Sequence, residues 1–362
     1  MAPQPIDWSV AEKVAVKVAE RSAPEIDSLT RQRLEELFSE FTPEAESLVS
    51  EATGLTSLEG PARAEVTDRA GWIRANIASF RRLLGPILEK SGDKGLARLL
   101  PPSLAGVSRA AAGAELGAVL GWMSTRVLGQ YDLLLTEGEE SAGDVVYYVG
   151  PNVVSLERRH GFAPNEFRLW IAIHELTHRA QFTGVPWMRG YFLDLVDRGV
   201  SMASPEPKVL AAALARAARQ VREGRNPLAE SGLVGMLATP EQEVVLRQIQ
   251  ALMSILEGHG DIVMNRAAKD LIPGARRFAE TLQSRRDSAA GVVKFLQQLI
   301  GMEAKLRQYR EGEEFVATVE REVGPAVFSL VWQGPGYLPT MDEVRDPEAW
   351  IERVGGRSRE IA

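Results

Sequence analysis

The 362-residue chain has no cysteine and only four histidines. The first absence excludes disulfides, thiolate nucleophiles and sulfur ligands, so any bound metal must be held by imidazole and carboxylate groups. An excess of basic charge is missing too. Lys and Arg number 42 against 49 Asp and Glu, for a formal net charge of -7, and the basic residues are scattered among acidic ones. That pattern argues against a nucleic-acid-binding face. There is no unbroken apolar run of membrane-spanning length, because the most hydrophobic long stretch, Val107 to Leu128, is interrupted by Arg109, Glu115 and Arg126. No membrane partner is expected. The first eight residues, Met1 to Trp8, lack a basic segment followed by an apolar run, so no secretory signal and a cytoplasmic location are expected. What remains is 45% hydrophobic and 25% charged, enough to bury one large core or two smaller ones.

Two of the four histidines stand in the stretch Trp170 to Phe182, as His174-Glu175-Leu176-Thr177-His178. Residues four apart share one face of a helix, so this HExxH spacing points two imidazoles at one divalent metal with Glu175 beside them. The helix is predicted locally: Pro164 suits a first turn, Glu166 suits the positive N-terminal end, and Gly184 and Pro186 end the run after about five turns. A helical wheel centred on His174 gathers Phe167, Trp170, Ile171, His178, Gln181 and Phe182 on its side, with Arg168 and Arg179 opposite. A lone core-facing histidine is usually a packed, hydrogen-bonded side chain. Two at ligand spacing with a Glu next to the first favour metal binding.

Around this motif the chain reads as mostly helical. Amphipathic periodicity predicts helices over Val10–Glu20 and Ser28–Ser50, separated by Pro24, and a long helix from Ala62 to about Lys90 carrying Trp72, Ile73, Ile77, Phe80 and Leu84. In Ala105–Leu128, Gly113, Gly117 and Gly121 fall at four-residue intervals. Each interior glycine costs about 1 kcal/mol relative to alanine, so three on one face imply a second helix backbone passing close by. The β signal is short, at Tyr131–Leu135 and Val145–Val149, and suggests a hairpin or small sheet. Asn152 is expected to cap a helix over Val153–Arg159, with His160 at its end and no metal role. Helices are also expected at Trp187–Asp197, Glu206–Arg222 and after Pro240, with Met202–Pro207 as the best internal linker. The C-terminal part reads as helices over Ala275–Arg286, Ala289–Arg310, Glu313–Val323 and Pro347–Val354, with turns from Gly334 to Pro339. The fold class expected is α+β, predominantly helical, with a helical N-terminal portion over 1–130 and a catalytic portion over 131–362.

Catalytic zinc commonly takes three protein ligands and keeps a position for water, so two histidines leave the site incomplete. The segment Glu257-Gly258-His259-Gly260-Asp261 offers three candidates. Glu257 and Asp261 are four apart and share a helical face. Glu257 is favoured as the third ligand, with Asp261 accepting a hydrogen bond from a ligating imidazole. His259 competes as a ligand, or as a hydrogen-bond donor to an oxyanion. Gly258 and Gly260 are expected to let this helix approach the HExxH helix closely. Arg307 and Tyr309 suit an exposed helix end better than a catalytic role.

These two segments resemble the zincin metallopeptidases of gluzincin type, in which HExxH is followed downstream by a Glu with an Asp four residues later. The chain is most similar to the zincin-like hydrolase family of actinobacteria and Chloroflexi, labelled as associated with biosynthesis of the deazaflavin coenzyme. The supporting stretches include His174–Gln181, Leu256–His259, Lys305–Phe315 and Trp332–Trp350, so the resemblance spans most of the chain. It implies a zincin-like fold with a small β-sheet and one zinc ion. The reading is a zinc-dependent metallopeptidase or amidase: His174, His178 and Glu257 hold zinc, which acidifies a water and polarises the scissile carbonyl. Glu175 acts as general base on that water, and the substrate is a peptide or a small amide. The rival reading is a non-catalytic binding or assembly module on the same fold.

Overall fold

The computed structural model describes residues 6–21, 25–92, 102–133, 144–201, 219, 240–268, 271–287 and 302–361. Within them the fold is helical with one small sheet, as the periodicity predicts. The predicted linker at Met202–Pro207 and the helix at Glu206–Arg222 fall almost wholly outside the described residues. No described helix is long and apolar enough to cross a membrane. The chain divides into two compact units, Met1–Ala180 with Ala267–Phe278, and Gln181–Arg266 with Ala279–Ala362.

The first unit opens with α1 (Trp8–Ala19) and α2 (Ser28–Thr53). Asp7 starts α1 by accepting hydrogen bonds from the free amides of Ser9 and Val10, each at 3.1 Å. Next come β1 (Arg63–Thr67), α3 (Arg69–Gly92) and α4 (Pro102–Ser124). The strand corrects the expectation of one long helix from Ala62. Its five residues pair in parallel with a strand some eighty positions later, so no local periodicity announces them. On α3 the predicted apolar face is as expected: Trp72, Ile73 and Ile77 are buried against Trp8, Ala11, Ala15 and Leu120.

The glycine stripe on α4 has the role its spacing implies. A methyl group added at Gly113 would lie 2.3 Å from the carbonyl oxygen of Asp7, at Gly117 2.3 Å from that of Ala11, and at Gly121 2.5 Å from that of Ala15. Helix α1, with its own alanine face, runs along the stripe in backbone contact.

The sheet is completed by β2 (Gly129–Tyr131) and β3 (Val145–Val149), in the order β1-β3-β2. β2 lies antiparallel to β3, Gln130 facing Tyr147. All five residues of β3 are buried, as a central strand requires. Helix α5 (Gly150–His160) follows directly and ends at Gly161 in the left-handed conformation. It begins earlier than expected, and Asn152 is not its cap. The Asn152 amide is buried, donating to the carbonyls of Ser124 and Val127 at 2.7 Å each and accepting from Arg69 Nε at 2.9 Å. Helix α6 (Pro164–Thr183) carries the HExxH motif. Its first two turns are held by Glu166, which accepts from the Gly274 amide at 2.8 Å, by Phe167 against Phe162 and Phe278, and by Trp170 against Phe278.

The second unit begins in the last turn of α6 and contains α7 (Met188–Ser201) and most of α8 (Pro240–Ala268). Helix α9 (Ala275–Asp287) is shared between the units. Helix α10 (Met302–Val323) runs unbroken through Gly312, where two helices were expected, and α11 (Pro325–Phe328), α12 (Met341–Arg345) and α13 (Pro347–Ile361) complete the chain. Gly312 serves contact rather than termination. A methyl group there would sit 1.9 Å from the Ser254 carbonyl oxygen, and one at Gly258 would sit 2.2 Å from the Gly312 carbonyl carbon. Gly258 therefore faces α10, which corrects the expectation that it faces the HExxH helix. The core of this unit gathers Ile255, Phe315, Val319, Phe328, Val331 and Trp350.

Candidate metal centre

On α6 the two histidines meet as their spacing requires. Their Nε2 atoms are 3.3 Å apart, and the rings stand nearly perpendicular, with centroids 4.6 Å apart. Two nitrogens at about 2.0–2.1 Å from a tetrahedral zinc are about 3.3 Å from each other, so the pair is already spaced for one ion. Both rings are half-buried. His174, His178 and Glu257 each offer one ligand atom, and the three atoms lie within 4.8 Å of one another. Two imidazoles and a carboxylate suit zinc, leaving a position for water. His259 is outside that group, and Asp261 lies half-buried one turn beyond Glu257 on α8.

Glu175 is 7% exposed. Its carboxylate rests against the α-carbon of Gly129 at the start of β2: a methyl group there would lie 2.6 Å from Cγ and 2.7 Å from Oε1. The phenol of Tyr148 is fully buried, hydrogen-bonded to the Thr42 hydroxyl at 3.0 Å and stacked on Phe38. Burial pushes that phenol well above its ordinary range, the Thr42 bond opposes the rise, and the negative charge of Glu175 adds to it.

The face of α6 opposite the histidines is also committed. Arg168 grips the buried Glu157 with two bonds of 2.7 and 2.8 Å. Burial nevertheless holds the Glu157 carboxyl above its usual value. Arg179, directly after His178, is 1% exposed and bonds Asp144, Glu46 and the Gly60 carbonyl. Asp144 itself takes a left-handed backbone, φ 79°, immediately before β3. Arg179 thus ties the motif helix to α2 and to the head of the central strand. Gln181, one turn beyond His178, donates through Nε2 to the Leu256 carbonyl at 2.9 Å, and the same nitrogen lies 3.0 Å from His259 Nδ1.

Residues 6–351 match the model of a zincin-like metallopeptidase family. The chain belongs to the zincin-like metallopeptidase family. A solved structure from Chloroflexus aurantiacus, described as a hydrolase candidate with a novel fold, is similar to it at 31% identity, covering 97% of this chain and 99% of that one with a TM-score of 0.70. No curated protein matches the chain. Within this zincin-like frame, the histidines and Glu175 were legible as motif residues. The roles of Gly129, Tyr148, Arg179 and Gln181 were not. Gln181 alone left a signal, an amide on the helix face that carries the two histidines and is otherwise apolar.

Proposed function

We propose that this zincin-like protein is a zinc-dependent hydrolase that cleaves an amide bond, with His174, His178 and Glu257 as the residues that would hold the ion. The observation that carries the reading is the close grouping of these three side chains, with the buried Glu175 next to His174 in sequence. Zinc at such a site supplies a Lewis acid that acidifies water and polarises the scissile carbonyl. Glu175 takes the proton of the attacking water on its carboxylate and returns it to the leaving nitrogen. Gly129, lacking a side chain, leaves the room that this carboxylate occupies. Asp261, one turn from Glu257, is suited to accept the remaining N–H of a ligating imidazole.

A peptide is the favoured substrate. Among the described residues, strand β2 is an edge strand, next to Glu175. Leu128 and Asp132 bond to β3, so by alternation Gly129 turns its peptide groups toward the outer side of the sheet. An extended chain adding to such an edge would bring its carbonyls past the base.

Elemental mass spectrometry of purified wild type, His174→Ala, Glu257→Ala and His259→Ala tests the site. Near-stoichiometric zinc is expected in wild type and His259→Ala, and its loss in the other two. Glu175→Gln should retain zinc and lose hydrolysis of a peptide library. Folded wild type that takes up no zinc when supplied with it would sink the hydrolase reading and leave a binding or assembly module in its place.

A further inference from the structure

The amide of Gln181 decides what His259 can do. A peptide carbonyl only accepts hydrogen bonds, so the Gln181 atom 2.9 Å from the Leu256 oxygen is the amide nitrogen, and the orientation of the side chain is fixed. That nitrogen only donates. Its second proton is directed to the atom 3.0 Å away, His259 Nδ1, which must therefore be the acceptor. A neutral imidazole that accepts at Nδ1 carries its proton at Nε2. Neither ring nitrogen then has a lone pair to give a metal: one is occupied and the other is protonated.

We propose that Gln181 is a positioning residue that holds His259 as the Nε2-protonated tautomer, which keeps His259 out of the ligand set and makes it a hydrogen-bond donor. This rests on the metal-site reading for its functional consequence, though not for the tautomer itself. The surroundings are built for a single ring orientation. Gln181 is fully buried and His259 is 4% exposed. The imidazole lies almost parallel to Phe328, 24° between planes and 5.5 Å between centroids, and edge-on to Trp332 at 5.0 Å. These two contacts hold the ring plane with Nδ1 on the side of Gln181. Leu256 and His259, the two groups that Gln181 binds, are three apart on α8 and flank Glu257. One amide thus grips that turn of the helix at two points, which resists both rotation and sliding of the turn that carries the carboxylate.

The test is long-range 1H–15N correlation on 15N-labelled, metal-free protein in mildly alkaline buffer. Wild-type His259 should show the pattern of an imidazole protonated at Nε2 alone. In Gln181→Leu it should change to mixed or Nδ1-protonated forms, a change that loss of packing alone would not produce. Gln181→Leu combined with His259→Phe removes both polar partners and controls for folding: if Gln181 were only a buried strut, the single variant would unfold while His259 in any folded fraction kept its wild-type pattern. A wild-type Nδ1-protonated ring overturns the proposal. Cadmium-113 loading gives the second readout, with couplings expected to His174 and His178 nitrogens and none to His259. A coupling to His259 also overturns it. If cadmium couples to no histidine, the metal-site reading fails while the metal-free spectra still decide the tautomer.

Discussion

At the scale of single residues, the decisive neighbour of the base is a missing side chain. Gly129 has ordinary backbone geometry, so alanine would be tolerated there by the chain itself. Its methyl group would collide with Glu175, whose Cγ, Cδ and Oε1 all lie within 2.8 Å of that position. The carboxylate would have to move by about 1 Å, and displacements of that size cost on the order of 100-fold in rate. Gly129→Ala is therefore expected to lower kcat by about two orders of magnitude while zinc content, read by elemental mass spectrometry, stays at the wild-type level. Unchanged turnover would show that Glu175 is not the base. The sequence could announce Glu175, because its partners stand within one helical turn. It could not announce Gly129, whose relation to Glu175 arises only when β2 is laid beside α6.

Among elements, the legible contact is the one whose signature lies within one segment. The stripe Gly113, Gly117, Gly121 implied a neighbouring helix, and α1 supplies it with Ala11 and Ala15. What the stripe could not name was the partner. Gly117→Ala should regain about 1 kcal/mol of helix propensity yet lose more, because its methyl would stand 2.3 Å from the rigid Ala11 backbone. A net destabilisation of about 1–3 kcal/mol is expected in urea unfolding. Gly190, exposed within α7 with open space around its α-carbon, is the control, and Gly190→Ala should be neutral or stabilising. Equal effects at both positions would contradict the packing account. Strand β1 was illegible for the converse reason: its stabilising pairs lie with Val145–Val149, and Arg-Ala-Glu-Val-Thr alone is as compatible with the start of α3. Gly312 misled because glycine ends helices and also admits close helix crossings, and only the position of Ser254 distinguishes the two.

For the molecule as a whole, the helical class was readable from periodicity. The division between its units was not, since it falls inside the continuous helix α6. Overall stability also carries an alkaline limit written in β3. Burial, with the charges of Glu65 and Asp132 adding to it, pushes the Tyr147 phenol up to about 12, and burial raises Tyr148 as well. In the unfolded chain both ionise near the ordinary value of 10.0. Between those limits the native state binds more protons than the unfolded one, so stability present below pH 10 falls as pH rises toward 12. Thermal melts across that range should show the midpoint dropping, and Tyr147→Phe should flatten the drop. A midpoint independent of pH would mean that the fold admits the phenolate.

Metal binding provides the other control on the whole molecule. A ligand that binds the native state and not the unfolded one stabilises by RT ln(1 + [L]/Kd), about 2.7 kcal/mol at a hundredfold excess over Kd. The i, i+4 spacing on α6 sets the Nε2 atoms of His174 and His178 3.3 Å apart, so little of that gain is spent on organising them. The unfolded chain has only four histidines and no cysteine to compete for zinc. Added zinc is therefore expected to raise the melting midpoint of metal-free wild type, and a chelator to reverse the rise. His174→Ala should melt at one temperature with or without zinc. If that variant gained as much as wild type, the stabilising ion would be bound elsewhere and the pair on α6 would not be its site.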